Sequence, residues 1–331
     1  MSRFVATEKE PEGLIHALLL DGEGGSRKLS WDEVNQFDES QSGLWLHFDY
    51  SHEETRDWIA NCSGLNEIAV DGLLNSENRP HVLTRANNLL LVLRGVNLNP
   101  GANPEDMVSV RIWTNGKILI SSRKRMLLST QDIVANLNDN VGPANITELL
   151  IGWTDRLVTR MNDTINVIED SVLGIEENVL DGDPRELRSQ LLRLRQQSIG
   201  IRRYIAPQRE ALNRLAAEHL EWLTDLDRLA LRSIADRQIR YVEDIDTIKE
   251  RASMAQEELL SRISEQMNNR SYVLTVIAAI FLPLGFFTGL MGINVGGMPG
   301  VENNFGFWIV VAICLAGTGA LGAFLSWKKW L

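Results

Sequence analysis

Two apolar segments near the C-terminal end constrain this chain more than any other feature. Val273–Met291 and Phe305–Ser326 contain no charged side chain. Each is long enough to cross the roughly 30 Å hydrocarbon core of a bilayer as a helix. Lipid offers the backbone no water to bond, so a helix is the conformation such a segment must take. The connection between them opens with Gly292-Ile293-Asn294-Val295-Gly296-Gly297-Met298-Pro299-Gly300. Everything before the first segment is polar and helix-rich, so the chain reads as a large polar body on a two-span anchor. One apolar run is ordinarily a buried core helix. Two runs of this length, the second followed by Trp327-Lys328-Lys329-Trp330, argue for the membrane.

Flanking charge sets the expected orientation. Arg270 precedes the first span, Lys328 and Lys329 follow the second, and the loop between them has neither Lys nor Arg. The positive-inside rule then places both termini in the cytoplasm and the loop outside. Met1 to Glu10 has no apolar core, so no signal peptide is expected there. Cys62 and Cys314 fall in different compartments of this arrangement, which excludes a disulfide framework or a cysteine metal site. The net charge of −11 lies almost wholly in the polar body. It disfavours nucleic acid as a partner and raises local cation concentration; acidity that serves only solubility fits the charge equally well.

Residues 1–145 read as a cytoplasmic α+β domain with a mixed sheet. Leu14–Leu20, Gly43–Tyr50, Pro80–Thr84, Asn88–Leu98, Val108–Thr114 and Lys117–Ser122 are strand-like. Glu53–Asn61, Asn66–Leu74 and Ser129–Asn138 look helical, and Asn87-Asn88 and Asn115-Gly116 are hairpin signals. No nucleotide fingerprint stands at a strand-to-helix turn.

A long-helix stalk follows over residues 146–270. Its first helix runs from about Glu148 to Leu180. The second starts at Asp183-Pro184-Arg185-Glu186, with Asp183 as N-cap, Pro184 in the first helical position and Glu186 closing a capping box. It carries Arg188, Arg193, Arg195, Arg202 and Arg203, read as a solvated face paired with acids, and ends near Ala206-Pro207. The third is capped by Thr224-Asp225-Leu226-Asp227 and meets no Pro or Gly before Pro283. Tyr241, Ile245, Ile248, Ala252, Ala255 and Leu259 form a heptad seam along it. Running unbroken to Met291, this helix would be about 100 Å long and would join the polar body to the membrane without a flexible linker. The remaining divisions are a first span over 271–291, an outer loop over 292–304, a second span over 305–327 and a basic tail over 328–331.

Two helices cannot enclose a water-filled path, so ion passage would need a ring of subunits. Ser271, Thr275, Ala278, Leu282, Gly285 and Gly289 form a stripe on the first span, small or weakly polar except for Leu282. Such a stripe suits a pore wall, and it suits a helix-packing face equally. The second span has small-residue rows, Ala312, Ala316, Ala320 and Gly319, Gly322, Ala323, but no polar face, and is expected outside the first. Asn294, just past the first span, could present a neutral amide to the water shell of a divalent cation. Glu302 is the only acid of the outer loop and could attract cations.

Thr275-Val276-Ile277-Ala278-Ala279-Ile280-Phe281-Leu282-Pro283-Leu284-Gly285-Phe286-Phe287-Thr288-Gly289-Leu290-Met291-Gly292-Ile293-Asn294, then Met298-Pro299 and Lys329-Trp330-Leu331, closely resembles the CorA superfamily of divalent-cation transporters. Gly292-Ile293-Asn294 with Gly296-Gly297-Met298-Pro299-Gly300, and Arg202-Arg203-Tyr204-Ile205-Ala206-Pro207-Gln208-Arg209, are similar to its ZntB zinc-transporting branch; magnesium members usually carry Gly-Met-Asn. The resemblance implies a homopentamer in a bacterial inner membrane: a funnel of α/β lobes, a stalk of long helices, and five first spans around the axis. Carried over by position, the pore-lining residues are Asn268, Ser271, Leu274, Ala278, Leu282 and Gly285, with Gly292, Ile293 and Asn294 forming the selectivity loop. Leu274 and Leu282 are the implied apolar constrictions. Magnesium members carry a polar residue at the place of Gly285 and a methionine at that of Leu282, so selectivity and gating need not follow theirs.

The expected function is transport of Zn²⁺ without ATP hydrolysis or a covalently bound cofactor. A Mg²⁺/Co²⁺ channel of the same superfamily is the alternative, and a membrane-tethered sensor or scaffold with a coiled-coil stalk is the second. The outer loop is too short for a ligand-binding domain, and no phosphate loop or catalytic arrangement can be read, so an enzyme is not expected. His16, His47, His52, His81 and His219 show no metal-ligand spacing and are read as surface or sheet residues. Neither span contains His, Asp or Glu, so any proton coupling would use water or groups in the funnel.

Overall fold

A computed structural model describes residues 4–38, 40–75, 79–293 and 304–328. The chain divides into two compact units, Met1–Gln256 and Glu257–Leu331.

The first unit begins with an α+β lobe. Seven strands, β1 (Leu14–Leu20), β2 (Ser26–Lys28), β3 (Leu44–Asp49), β4 (His81–Arg85), β5 (Asn88–Gly95), β6 (Val108–Thr114) and β7 (Ile118–Arg123), form one sheet in the order β2-β1-β3-β7-β6-β5-β4. Only β3 and β7 are parallel, so the sheet is mixed, as the strand pattern predicts. Alternation sorts the side chains of β3. Leu44, Leu46 and Phe48 enter one core with Trp58 and Ile59 of α2 (Glu53–Asn61) and Leu73 of α3 (Glu67–Leu74). Trp45 and His47 face the other way, where both rings meet Trp153 edge-on, with centroids 5.2 and 5.7 Å away.

Strand β2 and the five-residue helix α1 (Trp31–Asn35) escape the periodicity analysis because neither is long enough to show a period. A signal for α1 was nonetheless present. Ser30 and Glu33 form a full capping box, each side chain accepting from the other's backbone amide. The β4–β5 turn lies one residue earlier than Asn87-Asn88 suggests. Ala86 (φ 48°) and Asn87 (φ 65°) hold both positive-φ positions. Asn87 is held there from outside: its side-chain oxygen accepts from the Glu221 amide at 2.8 Å, and its carbonyl accepts from Trp222 Nε1 at 2.9 Å. At the β6–β7 hairpin, Gly116 (φ 83°) leaves room for the Trp222 ring, which a Cβ would meet at 2.3 Å.

Helix α4 (Leu128–Asn138) leads into the long helices α5 (Ile146–Asn178), α6 (Pro184–Ala217) and α7 (Asp225–Met291). Asp183 caps α6 through the Arg185 amide, but Glu186 bonds Gln190 one turn on, so the capping box does not close. Nor does α6 stop at Pro207. Proline in a helix interior costs about 3 kcal/mol, yet Ala211, Leu212 and Leu215 beyond it are buried and draw the helix onward. Thr224 and Asp227 do form a reciprocal box at the start of α7. The seam residues Tyr241, Ile245, Ile248, Ala252 and Ala255 are buried within this one chain. Polar contacts flank them: Arg251 to Glu176 on α5 (Nε–Oε1 3.0 Å), Arg237 to Asp155 and Thr159 on α5, Arg202 on α6 to Asp246, and Arg195 on α6 to Gln256 (2.7 Å). The acid-paired face expected for the α6 arginines is therefore realised in part by Arg202.

His47 is fully buried, and desolvation holds its imidazole well below the ordinary 6.5. Below pH 6.5 the unfolded chain then binds a proton that the native state refuses, so stability falls as pH drops. Glu33, held at about 2 by Arg27 and the Ser30 cap, loses its contribution only below its ordinary 4.5, outside that window. The melting temperature of the detergent-purified protein should therefore drop between pH 6.5 and 5. In His47→Gln the drop should be visibly shallower; an unchanged slope would assign it to other groups.

Candidate cation pathway

The second unit contains the end of α7 from Glu257 and the helix α8 (Gly306–Trp327). Both are long and apolar enough to cross a membrane, and the most apolar window of each is at most 6% buried. Large side chains such as Phe281, Phe286, Phe307, Trp308 and Leu315 stand exposed. Apolar surface of this extent marks contact with lipid or with other subunits.

Within the unit, α7 has two contrasting faces. Val276, Ile280, Leu284 and Phe287 are half-buried and recur at helical spacing. Leu284 Cδ2 lies 3.9 Å from where a Cβ on Gly317 of α8 would sit, so this face meets α8. On α8 the half-buried residues include Val310, Cys314, Gly317, Leu321 and Gly322, whereas Ala312, Ala316, Gly319, Ala320 and Ala323 are exposed. Of the small residues in this second span, Gly317 is thus the one against Leu284.

Asn268, Ser271, Leu274, Ala278, Leu282 and Gly285 are all exposed. At about 100° per residue, their mean direction lies roughly 180° around α7 from the face that meets α8. Hydroxyls along the spans are largely satisfied by their own helix. Thr275 donates to the Ser271 carbonyl at 2.8 Å, Thr288 to Leu284 at 2.9 Å and Thr318 to Cys314 at 2.8 Å. The Gly292 amide bonds the Thr288 carbonyl at 3.0 Å and Ile293 reaches Leu290 at 3.4 Å, closing the last turn of α7. Asn294 and Glu302 lie outside the described residues. Among the described residues, no cluster of three or more His, Cys, Asp or Glu could hold a metal.

Residues 40–329 match the family described as CorA-like Mg²⁺ transporter protein. The chain belongs to the CorA family. It is 38% identical over 335 residues to the divalent cation transporter CmaX of Pseudomonas aeruginosa, covering 97% of this chain and 98% of the relative. It is also 33% identical over 324 residues to the zinc transport protein ZntB of Yersinia enterocolitica, covering 96% of each. The solved structure of full-length CmaX superposes with a TM-score of 0.82 at 36% identity, covering 98% of both chains. Membership in CorA makes the protein a membrane transporter of divalent cations, not an enzyme, and the ZntB relative supports the branch suggested by Gly292-Ile293-Asn294. Missing from the sequence reading was which face of α7 meets α8. Both candidate faces are uncharged, and only packing distinguishes them.

Proposed function

We propose that this CorA protein is a zinc transporter that assembles as a homopentamer and passes hydrated Zn²⁺ through a central pore without ATP hydrolysis. The supporting observation is the division of α7: α8 takes one side, and Asn268, Ser271, Leu274, Ala278, Leu282 and Gly285 share the uncovered opposite side. Five such faces around an axis would make a wall of small, weakly polar and apolar residues. Leu274 and Leu282 would be its narrow apolar rings, able to gate by excluding water. The pore would lack charged ligands, so a cation would pass with its water shell and meet the Asn294 amides at the mouth. Glu302 would concentrate cations outside. Both termini would lie in the cytoplasm of a bacterial inner membrane.

A Mg²⁺/Co²⁺ channel is the second reading, favoured by the family's description and by a pore that would discriminate poorly. Purified protein in liposomes distinguishes the two. Zn²⁺ entry well above that of empty vesicles, with excess Mg²⁺ competing weakly, is the expected result. Strong competition by Mg²⁺ would favour the second reading. No flux of any divalent ion, or a particle that remains monomeric or dimeric, would refute both.

A further inference from the structure

Helices α5 and α6 pack as an antiparallel hairpin, and each turns a second seam outward. On α5 one side is buried through Met161, Ile165, Ile168, Val172 and Ile175. At about 100° per residue, the roughly opposite side carries Asp163, Asp170 and Glu177, interleaved with Asn166, Leu173 and Leu180. All six are exposed. On α6, roughly opposite the buried Leu187, Leu194, Ile201 and Ile205, stand Arg185, Arg188, Leu192, Ile199 and Arg203, also exposed. Single exposed leucines are ordinary. Rows at three-and-four spacing are the pattern of a helix-packing seam.

The two seams are opposite in charge. Among the described residues, Asp170, Glu177, Arg185, Arg188 and Arg203 make no ion pair. Asp163 stands one turn from Arg160, whose guanidinium is held by Asp132 at 2.7 Å. The flank of α6 differs, since Arg202 there finds Asp246 within the chain. Spacing agrees as well as sign. At 1.5 Å per residue, Asp163 and Glu177 lie about 21 Å apart along α5, and Arg188 and Arg203 about 22 Å apart along α6.

Height then fixes which residues can meet. Residues equally far from the turn of an antiparallel hairpin stand level, and this turn is centred near Asp181 and Gly182. Glu177 is therefore level with Glu186, between Arg185 and Arg188. Leu173 is level with Gln190, close to Leu192, and Asp163 with Gly200, between Ile199 and Arg203. A rotation about an axis along the hairpin leaves every height unchanged, so the same levels face each other between neighbouring subunits.

We propose that α5 of one subunit docks on α6 of the next, with Glu177 on Arg185 and Arg188, Leu173 on Leu192, and Asp163 on Arg203. The inference rests on the ring of subunits proposed above and identifies a surface that closes it away from the pore helices. Two different faces meet, so the contact runs head to tail and closes by rotation. Pairing α5 with α5, or α6 with α6, would set like charges together.

The test uses full-length protein carrying Cys62→Ser and Cys314→Ala, with the subunit count of wild type measured alongside. Leu173→Cys and Leu192→Cys in one chain, oxidised in membranes, should give a ladder of covalent bands up to the full ring. Either cysteine alone should give none. Arg188→Glu with Arg203→Glu makes both ends of each contact repulsive, and should raise the concentration at which the ring dissociates about tenfold or more. Adding Asp163→Arg and Glu177→Arg should restore it. A wild-type ring in which the double-cysteine variant gives no ladder, or in which the arginine reversal leaves dissociation unchanged, would overturn this docking and leave the ring standing. A monomeric or dimeric wild type would refute the ring as well.

Discussion

Asn294→Leu should cut divalent-cation flux into liposomes by about 100-fold or more while leaving the assembly intact. In the proposed pentamer five amides meet the hydrated ion at one level of the pore. Each hydrogen bond to a water shell is worth about 0.5–1.5 kcal/mol, and five leucines would replace all of them with surface that water wets poorly. Summed over the ring, the added barrier is roughly 2.5–7.5 kcal/mol, and each 1.4 kcal/mol is tenfold. Subunit count in detergent is the necessary companion measurement. Normal flux from an intact Asn294→Leu assembly would show that the loop does not select, and would move the barrier to Leu274 and Leu282. A tethered scaffold, by contrast, would be indifferent to the change.

Trp153→Ala should cost about 3–5 kcal/mol of stability, the usual range for emptying a large aromatic from a core. Trp153 is fully buried on α5 and packs edge-on against Trp45 and His47 of the sheet. Removing it opens a cavity where the long helices meet the lobe, and neighbouring side chains cannot refill a space of that size. A domain's whole stability is about 5–15 kcal/mol, so the variant should unfold at clearly lower urea and yield less purified protein. Trp153→Phe keeps an aromatic ring and removes an indole N–H that has no acceptor, so it should lose far less. Leu229→Ala, at an exposed site on α7, should stay within about 0.5 kcal/mol. A Trp153→Ala midpoint equal to that of wild type would mean that the lobe and α5 do not depend on this contact.

Legibility in the sequence followed the length of each pattern. Uncharged runs at 273–291 and 305–326 announce two helices long and apolar enough to cross a membrane because hydropathy is a local property summed over about twenty residues. The seam from Tyr241 to Leu259 was readable for the same reason, and the structure buries every member. Short elements were not. Strand β2 and helix α1 are too brief for periodicity, and the Ser30-to-Glu33 box is a capping signal without a following apolar run long enough to raise suspicion. Pro207 shows the opposite failure. Locally it says stop, but the burial of Ala211, Leu212 and Leu215 outweighs it.

His47 makes the limit plain. In sequence it is one member of an alternating strand and could face water or core equally well. It is buried because Trp153, from a helix more than a hundred residues away, closes over it. Sequence alone determined that this chain carries two segments long and apolar enough to cross a membrane, the first of them continuing a long polar helix, and that it belongs with cation transporters, since those properties are written in contiguous residues. Tertiary structure decided which side of α7 is left uncovered, where the β4–β5 turn falls and which polar groups are sealed without partners. Each of those depends on segments distant in the chain arriving at one place, and burial is a sum over neighbours that no local pattern contains.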